Sequence, residues 1–173
     1  GAFDGCASLT SLDLSGLANS LTSIGSGAFN HCTKLTTIGL AHLAKLESIN
    51  SYAFDGCVAI TSIDLSPLTA LTSIGECAFR GCAGLTTLKL PPAMFVEENS
   101  ASIDNQAFRD CTNLNAIYLP EGVAESVGTN CNTNAFYNCP ETGTIYYSGD
   151  SALADAFISK FIALANWTPT PIS

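Results

Sequence analysis

The chain reads as an α/β repeat, a solenoid of stacked coils with a parallel β-sheet, short helical turns and a C-terminal helical cap. Three observations predict this. The pattern AF-x-x-C-x-x-L-x-x-L-x-L occurs six times, with phenylalanines at positions 3, 29, 54, 79, 108 and 136, so one unit spans only 25 to 29 residues. A unit this short cannot bury its own apolar face and has to stack on its neighbours. Within each unit the residues after the cysteine alternate apolar and polar, and after residue 148 the pattern gives way to a helical one.

The first copy is Ala2-Phe3-Asp4-Gly5-Cys6 followed by Leu9, Leu12 and Leu14. Leu12 and Leu14 alternate with Ser11, Asp13 and Ser15, the period of a half-buried strand. Stacked coils set these strands side by side about 4.8 Å apart. A second extended strip recurs as Leu21–Ile24, Leu46–Ile49 and Leu71–Ile74. The AF-x-x-C segment between them is long enough for one helical turn, α or 3₁₀. The residue before each motif cysteine is Gly5, His31, Gly56, Gly81, Asp110 or Asn138. These types tolerate positive φ, so this position ends the turn and redirects the chain. His31 thereby reads as a turn residue rather than a ligand or base. Each motif Phe is expected to be buried between coils.

Two stretches depart from the period. Pro91–Ser102 lengthens the fourth coil and Glu121–Asn134 the fifth, and both are expected to bulge from the edge as tolerated insertions or contact loops. Residues 1–148 are read as six repeats and 149–173 as cap and tail. In the latter, Ala152 to Ala165 reads as one helix carrying Leu153, Phe157, Phe161, Ile162 and Leu164, and Pro169-Thr170-Pro171 cannot continue it.

Six of the eight cysteines (Cys6, Cys32, Cys57, Cys82, Cys111, Cys139) share one repeat slot. A ladder of small buried thiols accounts for them; a disulfide or zinc framework would need CxxC pairs or alternating partners. Cys77 and Cys131 lie outside the slot, free or paired, with Cys139 the least strained partner for Cys131. Asn166-Trp167-Thr168 is an N-glycosylation sequon, a short pattern that also arises by chance.

Lys and Arg number 6 against 15 Asp and Glu, a net charge of −9, which argues against nucleic acid and anionic lipid as partners. No apolar run reaches 18 residues, so no membrane insertion is expected of this stretch. The chain opens inside a repeat without a leader, as a fragment of something longer would. No cofactor or metal site is expected: Asp13 and Asp64 lie two coils apart, and His31 and His42 have no paired base or nucleophile. The outward strand positions form two columns: Ser11, Thr37, Ser62, Thr87, Ala116, Thr144; and Asp13, Gly39, Asp64, Lys89, Tyr118, Tyr146. Most are small and polar. Asp13, Asp64, Lys89, Tyr118 and Tyr146 are the candidate binding residues, and the tyrosines serve either as contact area or as ordinary cross-strand packing.

The repeat IGSGAFNHCTKLTTIGL resembles the BspA-type leucine-rich repeat, whose units read roughly I-x-x-x-AF-x-x-C-x-x-L-x-x-I-x-I/L-P. Pro91 and Pro120 stand where that pattern ends its strand in proline, while Ser15, Ala41, Ser66 and Ser148 replace it. The segment IYYSGDSALADAFISKFIALANW also resembles the family's closing segment. The resemblance implies a right-handed leucine-rich-repeat solenoid of a cell-surface or secreted protein. It further implies a non-catalytic module that adheres to a protein of host or matrix; the residues alone are read as binding a protein or glycan, as a monomer. The competing reading is a spacer array that presents another domain.

Overall fold

The computed structural model describes residues 1–96, 101–121 and 130–172. Six main strands, one per coil, follow the motif: β1 (Ser11–Asp13), β3 (Thr37–Gly39), β5 (Ser62–Asp64), β7 (Thr87–Lys89), β9 (Ala116–Tyr118) and β10 (Thr144–Tyr147). The second strip holds β2 (Ser23–Ile24), β4 (Ser48–Ile49), β6 (Ser73–Ile74) and β8 (Ser102–Ile103), one member more than the sequence suggested. All pairings are parallel and in motif register, as in Ser73↔Ser102 and Leu88↔Ile117.

The main sheet is not continuous. β1 and β3 form a pair, while β5, β7, β9 and β10 join a separate sheet. Gly39 of β3 packs closely on the preceding coil, where a Cβ would lie 2.9 Å from the Leu12 carbonyl oxygen. The Leu40 N–H turns back to the Ile38 carbonyl, whereas the equivalent N–H groups of Leu65, Leu90 and Leu119 donate to Lys89, Tyr118 and Tyr146 in the next coil. On the other side of the stack the β2-β4-β6-β8 strip runs unbroken.

The AF-x-x-C segments are hydrogen-bonded turns rather than helices. Their donors alternate: the Cys57 N–H bonds Phe54 within the turn, while the Phe54 and Gly56 N–H groups bond Ala78 and Arg80 of the next coil. A helix would use every donor internally, and the competition from the neighbouring coil wins. The position before each cysteine has positive φ in all six copies, from 54° at His31 to 69° at Gly5 and Gly56. The position before the motif Ala is also left-handed at Gly27, Tyr52, Cys77 and Gln106, which the residue types did not announce.

One hydrophobic core runs the length of the stack. The six phenylalanines form a single file with centroids 5.1–5.3 Å apart and planes within 11°. Phe54, Phe79, Phe108 and Phe136 are fully buried, while Phe3, in the first repeat of the sequence, is 47% exposed. The motif cysteines add a second file. Cys32, Cys57, Cys82, Cys111 and Cys139 each donate Sγ–H to the Phe carbonyl of the preceding coil at 3.1–3.4 Å. All eight cysteines are free thiols, Cys131 and Cys139 included.

The first long insertion does not simply bulge. Pro92–Phe95 forms a 3₁₀ turn that buries Ala93, Met94 and Phe95, and the Phe95 ring lies 6.2 Å from that of Phe157. Within Glu121–Asn134, residues 122–129 lie outside the described residues, while Cys131 is buried.

Past β10 the expected single helix is broken. α1 spans Ala152–Lys160, Phe161 is extended (φ −114°, ψ 109°), and Ile162–Leu164 is a 3₁₀ turn. The break turns the Phe161 ring edge-on to Phe136 at 5.0 Å and leaves Ile162 74% exposed. The tail then forms a strand missed by sequence reasoning, β11 (Thr168–Pro171), parallel to β10. Trp167 anchors it, its ring over Gly143 and its Nε1–H donating to the Pro140 carbonyl. Thr168 and Ile172 donate to Gly143 and Tyr147, and the alternate residues, Pro169 and Pro171, have no N–H to turn toward the open edge.

Candidate binding face

Strand register decides which of the five candidate residues meet. Asp64 pairs with Lys89, Lys89 with Tyr118, and Tyr118 with Tyr146. Outward side chains at paired positions in a parallel sheet are neighbours, so these four form one row. Lys89 Nζ is 3.1 Å from Asp64 Oδ2 and 5.9 Å from the Tyr118 ring centre. Tyr118 and Tyr146 stack at 4.5 Å with 16° between planes. Lys89 and Tyr146 thereby hold Tyr118, which presents its edge and hydroxyl rather than a flat ring. Beyond Tyr146 the row continues to Thr170 of β11.

Asp13 stands apart. Its strand neighbour is Gly39, and the break between β3 and β5 separates it from Asp64. It has a local duty instead: its Oδ1 accepts the Ser15 N–H at 2.9 Å, an Asx turn that ends the strand. The backbone and side-chain hydrogen bonds from Ser15 hold its carboxyl below the ordinary carboxylate value. Asp64 makes the same turn with the N–H and hydroxyl of Ser66. Burial, the largest single influence on Asp64, pushes its carboxyl up, but hydrogen bonds from Ser66 and Lys89 together leave it below the ordinary value. The signal for this role was legible: coils one and three read Leu12-Asp13-Leu14-Ser15 and Ile63-Asp64-Leu65-Ser66, with serine where the strand-ending proline is missing.

Beside the row lies a cavity of about 390 Å³ with Ser66, Lys89, Tyr118, Pro120, Glu121 and Ile172 on its walls. Ser66, Glu121 and Ile172 were not anticipated. Ile172 arrives only because the tail pairs with β10, which alternation rules do not reveal in a strand carrying two prolines. The cavity combines an ammonium, a carboxylate, a phenol and apolar walls, a lining suited to fixing one polar segment of a ligand. Among the described residues no group of three His, Cys, Asp or Glu is placed to hold a metal ion, and no helix is long and apolar enough to cross a membrane.

A second charged cluster sits on the turn side. Asp55, 4% exposed, accepts two hydrogen bonds from Arg80, from Nε at 3.0 Å and from Nη2. Arg80 lies over the Tyr52 ring and Arg109 over that of Tyr137.

No curated protein matches the chain. The family model for the BspA type leucine rich repeat region matches in six copies, over residues 1–95 and 94–157. Those spans take in all six Phe–Cys turns, all six main strands and most of α1. The chain belongs to the BspA-type leucine-rich repeat family.

Proposed function

We propose that the chain is a non-catalytic binding and adhesion module of a cell-surface or secreted protein. In this reading residues 1–148 wind as a right-handed solenoid and 149–173 close it. Right-handed crossover is the near-universal hand for parallel strands joined within one sheet. The generally protein-binding, non-catalytic character of leucine-rich repeat families supports the class of function, and the typical surface or secreted placement of BspA-type proteins supports the location.

One observation carries the choice of face. Asp64, Lys89, Tyr118 and Tyr146 form a continuous row beside a cavity of about 390 Å³, on a face otherwise made of small polar side chains. Tyrosines held rigid by stacking contribute contact area with little conformational entropy to lose. The ligand is a protein, of host or matrix, or a glycan. The charge of −9 favours a partner with a basic patch, captured faster at low salt. The test compares wild type with Tyr118→Ala/Tyr146→Ala in binding to whatever partner the full-length protein recognises. A loss of at least about 2 kcal/mol is expected of a central hot spot. Unchanged affinity rejects this face.

The spacer reading has an observation of its own: Asp64 and Lys89 neutralise each other, and Asp13 is spent on a turn. Deleting the array while adhesion persists selects it.

A further inference from the structure

A second sizeable cavity lies away from the strand face. It measures about 600 Å³ and opens between the last Phe–Cys turn and the segment that follows α1, sharing no lining residue with the cavity beside Lys89. From the geometry we infer that this shoulder cavity binds neutral carbohydrate, one or two pyranose rings of an oligosaccharide.

Its size falls within the range of small-ligand sites, roughly 300–1,000 Å³. The walls are unusual for this chain. Tyr137 is 54% exposed and Ile162 74%, and both line the same cavity. The Arg109 guanidinium lies 5.2 Å from the Tyr137 ring centre, and that ring also lines the cavity. A polarised aromatic face beside an aliphatic side chain suits the C–H face of a sugar ring, which is apolar and carries partial positive charge on its hydrogens.

Most of the polar lining is amide, from Asn134, Asn138 and Asn166, with Thr133 and Glu141 beside them. An amide offers a donor and an acceptor side by side, and so does a pair of neighbouring sugar hydroxyls. Asn138 is set in place before any ligand arrives. Its backbone is fixed at φ 58°, and its Nδ2 donates to Asp110 Oδ1 at 2.7 Å, which leaves Oδ1 to accept. Among the described residues no Lys, Arg or His lines the cavity, and Glu141 adds a negative charge, so phosphate, sulfate and acidic sugars are disfavoured. Asn166 also belongs to the sequon Asn166-Trp167-Thr168, so a glycan attached there would lie against this cavity.

The test uses the full 173-residue chain from a host that does not glycosylate it. Calorimetry with maltotriose, cellotriose and chitotriose, and sialyllactose as the acidic control, measures affinity. Side-chain amide signals in NMR spectra report the place of binding. At least one neutral sugar is expected to bind with Kd of about 1 mM or tighter, shifting the Asn138 and Asn166 amides. Tyr137→Ala and Asn166→Ala, each checked for an unchanged melting temperature, should weaken that binding by about tenfold or more. Tyr118→Ala/Tyr146→Ala should leave it intact, which separates this cavity from the strand face. Three results overturn the proposal: no neutral sugar binds, sialyllactose binds better than all three, or the double tyrosine variant abolishes binding while Tyr137→Ala does not.

Discussion

At the level of single residues, the motif cysteine does two things at once. It fills a small apolar slot, and its Sγ–H donates to a Phe carbonyl of the preceding coil. Alanine would fill the slot without donating. Burial pushes the Cys57 thiol from 9.0 up to about 12, and burial raises Cys82 well above the ordinary value too. Below pH 9 these thiols are protonated in folded and unfolded chains alike, and their contribution to stability is complete. Above it the unfolded chain releases protons that the folded chain keeps, so stability falls as pH rises through about 12. Each such thiol removes at most about 1.4 kcal/mol per pH unit in that window. Thermal melts are therefore expected to drop steadily above pH 9, and Cys57→Ala, although less stable at pH 7, should show a shallower slope. A melting temperature flat from neutral pH to pH 11 would contradict the buried-thiol ladder. The sequence showed the slot but not the rung, because a weak S–H donor leaves no mark in residue spacing. It likewise showed the left-handed position before each cysteine, filled by Gly, Asn, Asp and His. It hid the one before the motif Ala, where Tyr52, Cys77 and Gln106 are types that rarely adopt positive φ.

At the level of elements, stacking sets what each piece is worth. Phe54 is covered by Phe29 and Phe79 on its two faces, so Phe54→Ala should cost about 3–5 kcal/mol in chemical denaturation. Phe3 has a partner on one face only and is half exposed; Phe3→Ala should cost less than about half as much. Equal costs would mean that the rings do not act through their neighbours. The C-terminal segment is worth more than one helix. Phe157 and Phe161 meet Phe136 edge-on, Leu164 and Trp167 are buried, and β11 closes the sheet edge. A chain ending at Asp150 should aggregate or lose its last coil, seen as a second, lower melting transition. A monomer with unchanged melting would show that the segment covers nothing essential. Periodicity alone located the helix. It could not foresee the break at Phe161, which comes from a tertiary demand, the pull of the Phe136 ring.

For the molecule as a whole, the repeat made most of the architecture legible: six coils, parallel strands, an aromatic file and a covered C-terminal end all follow from spacing and alternation. The candidate site was legible only in part. Column arithmetic placed Asp64, Lys89, Tyr118 and Tyr146 together, but it assumed an unbroken sheet and so included Asp13. The sheet breaks between β3 and β5, and a pattern of apolar positions carries no sign of that break. The shoulder cavity was invisible for a different reason. Its walls, Tyr137, Asn138, Ile162 and Asn166, come from a degraded repeat and an irregular turn.

The pair Pro169 and Pro171 gives the sheet a chemically closed edge. In the vocabulary of polymers, β11 is a terminated end: an incoming strand finds pyrrolidine rings where it needs donors. Strand addition past β11, by a stray chain in an aggregate, is therefore disfavoured, and the edge beside the Tyr118–Tyr146 row is kept from zippering with other chains.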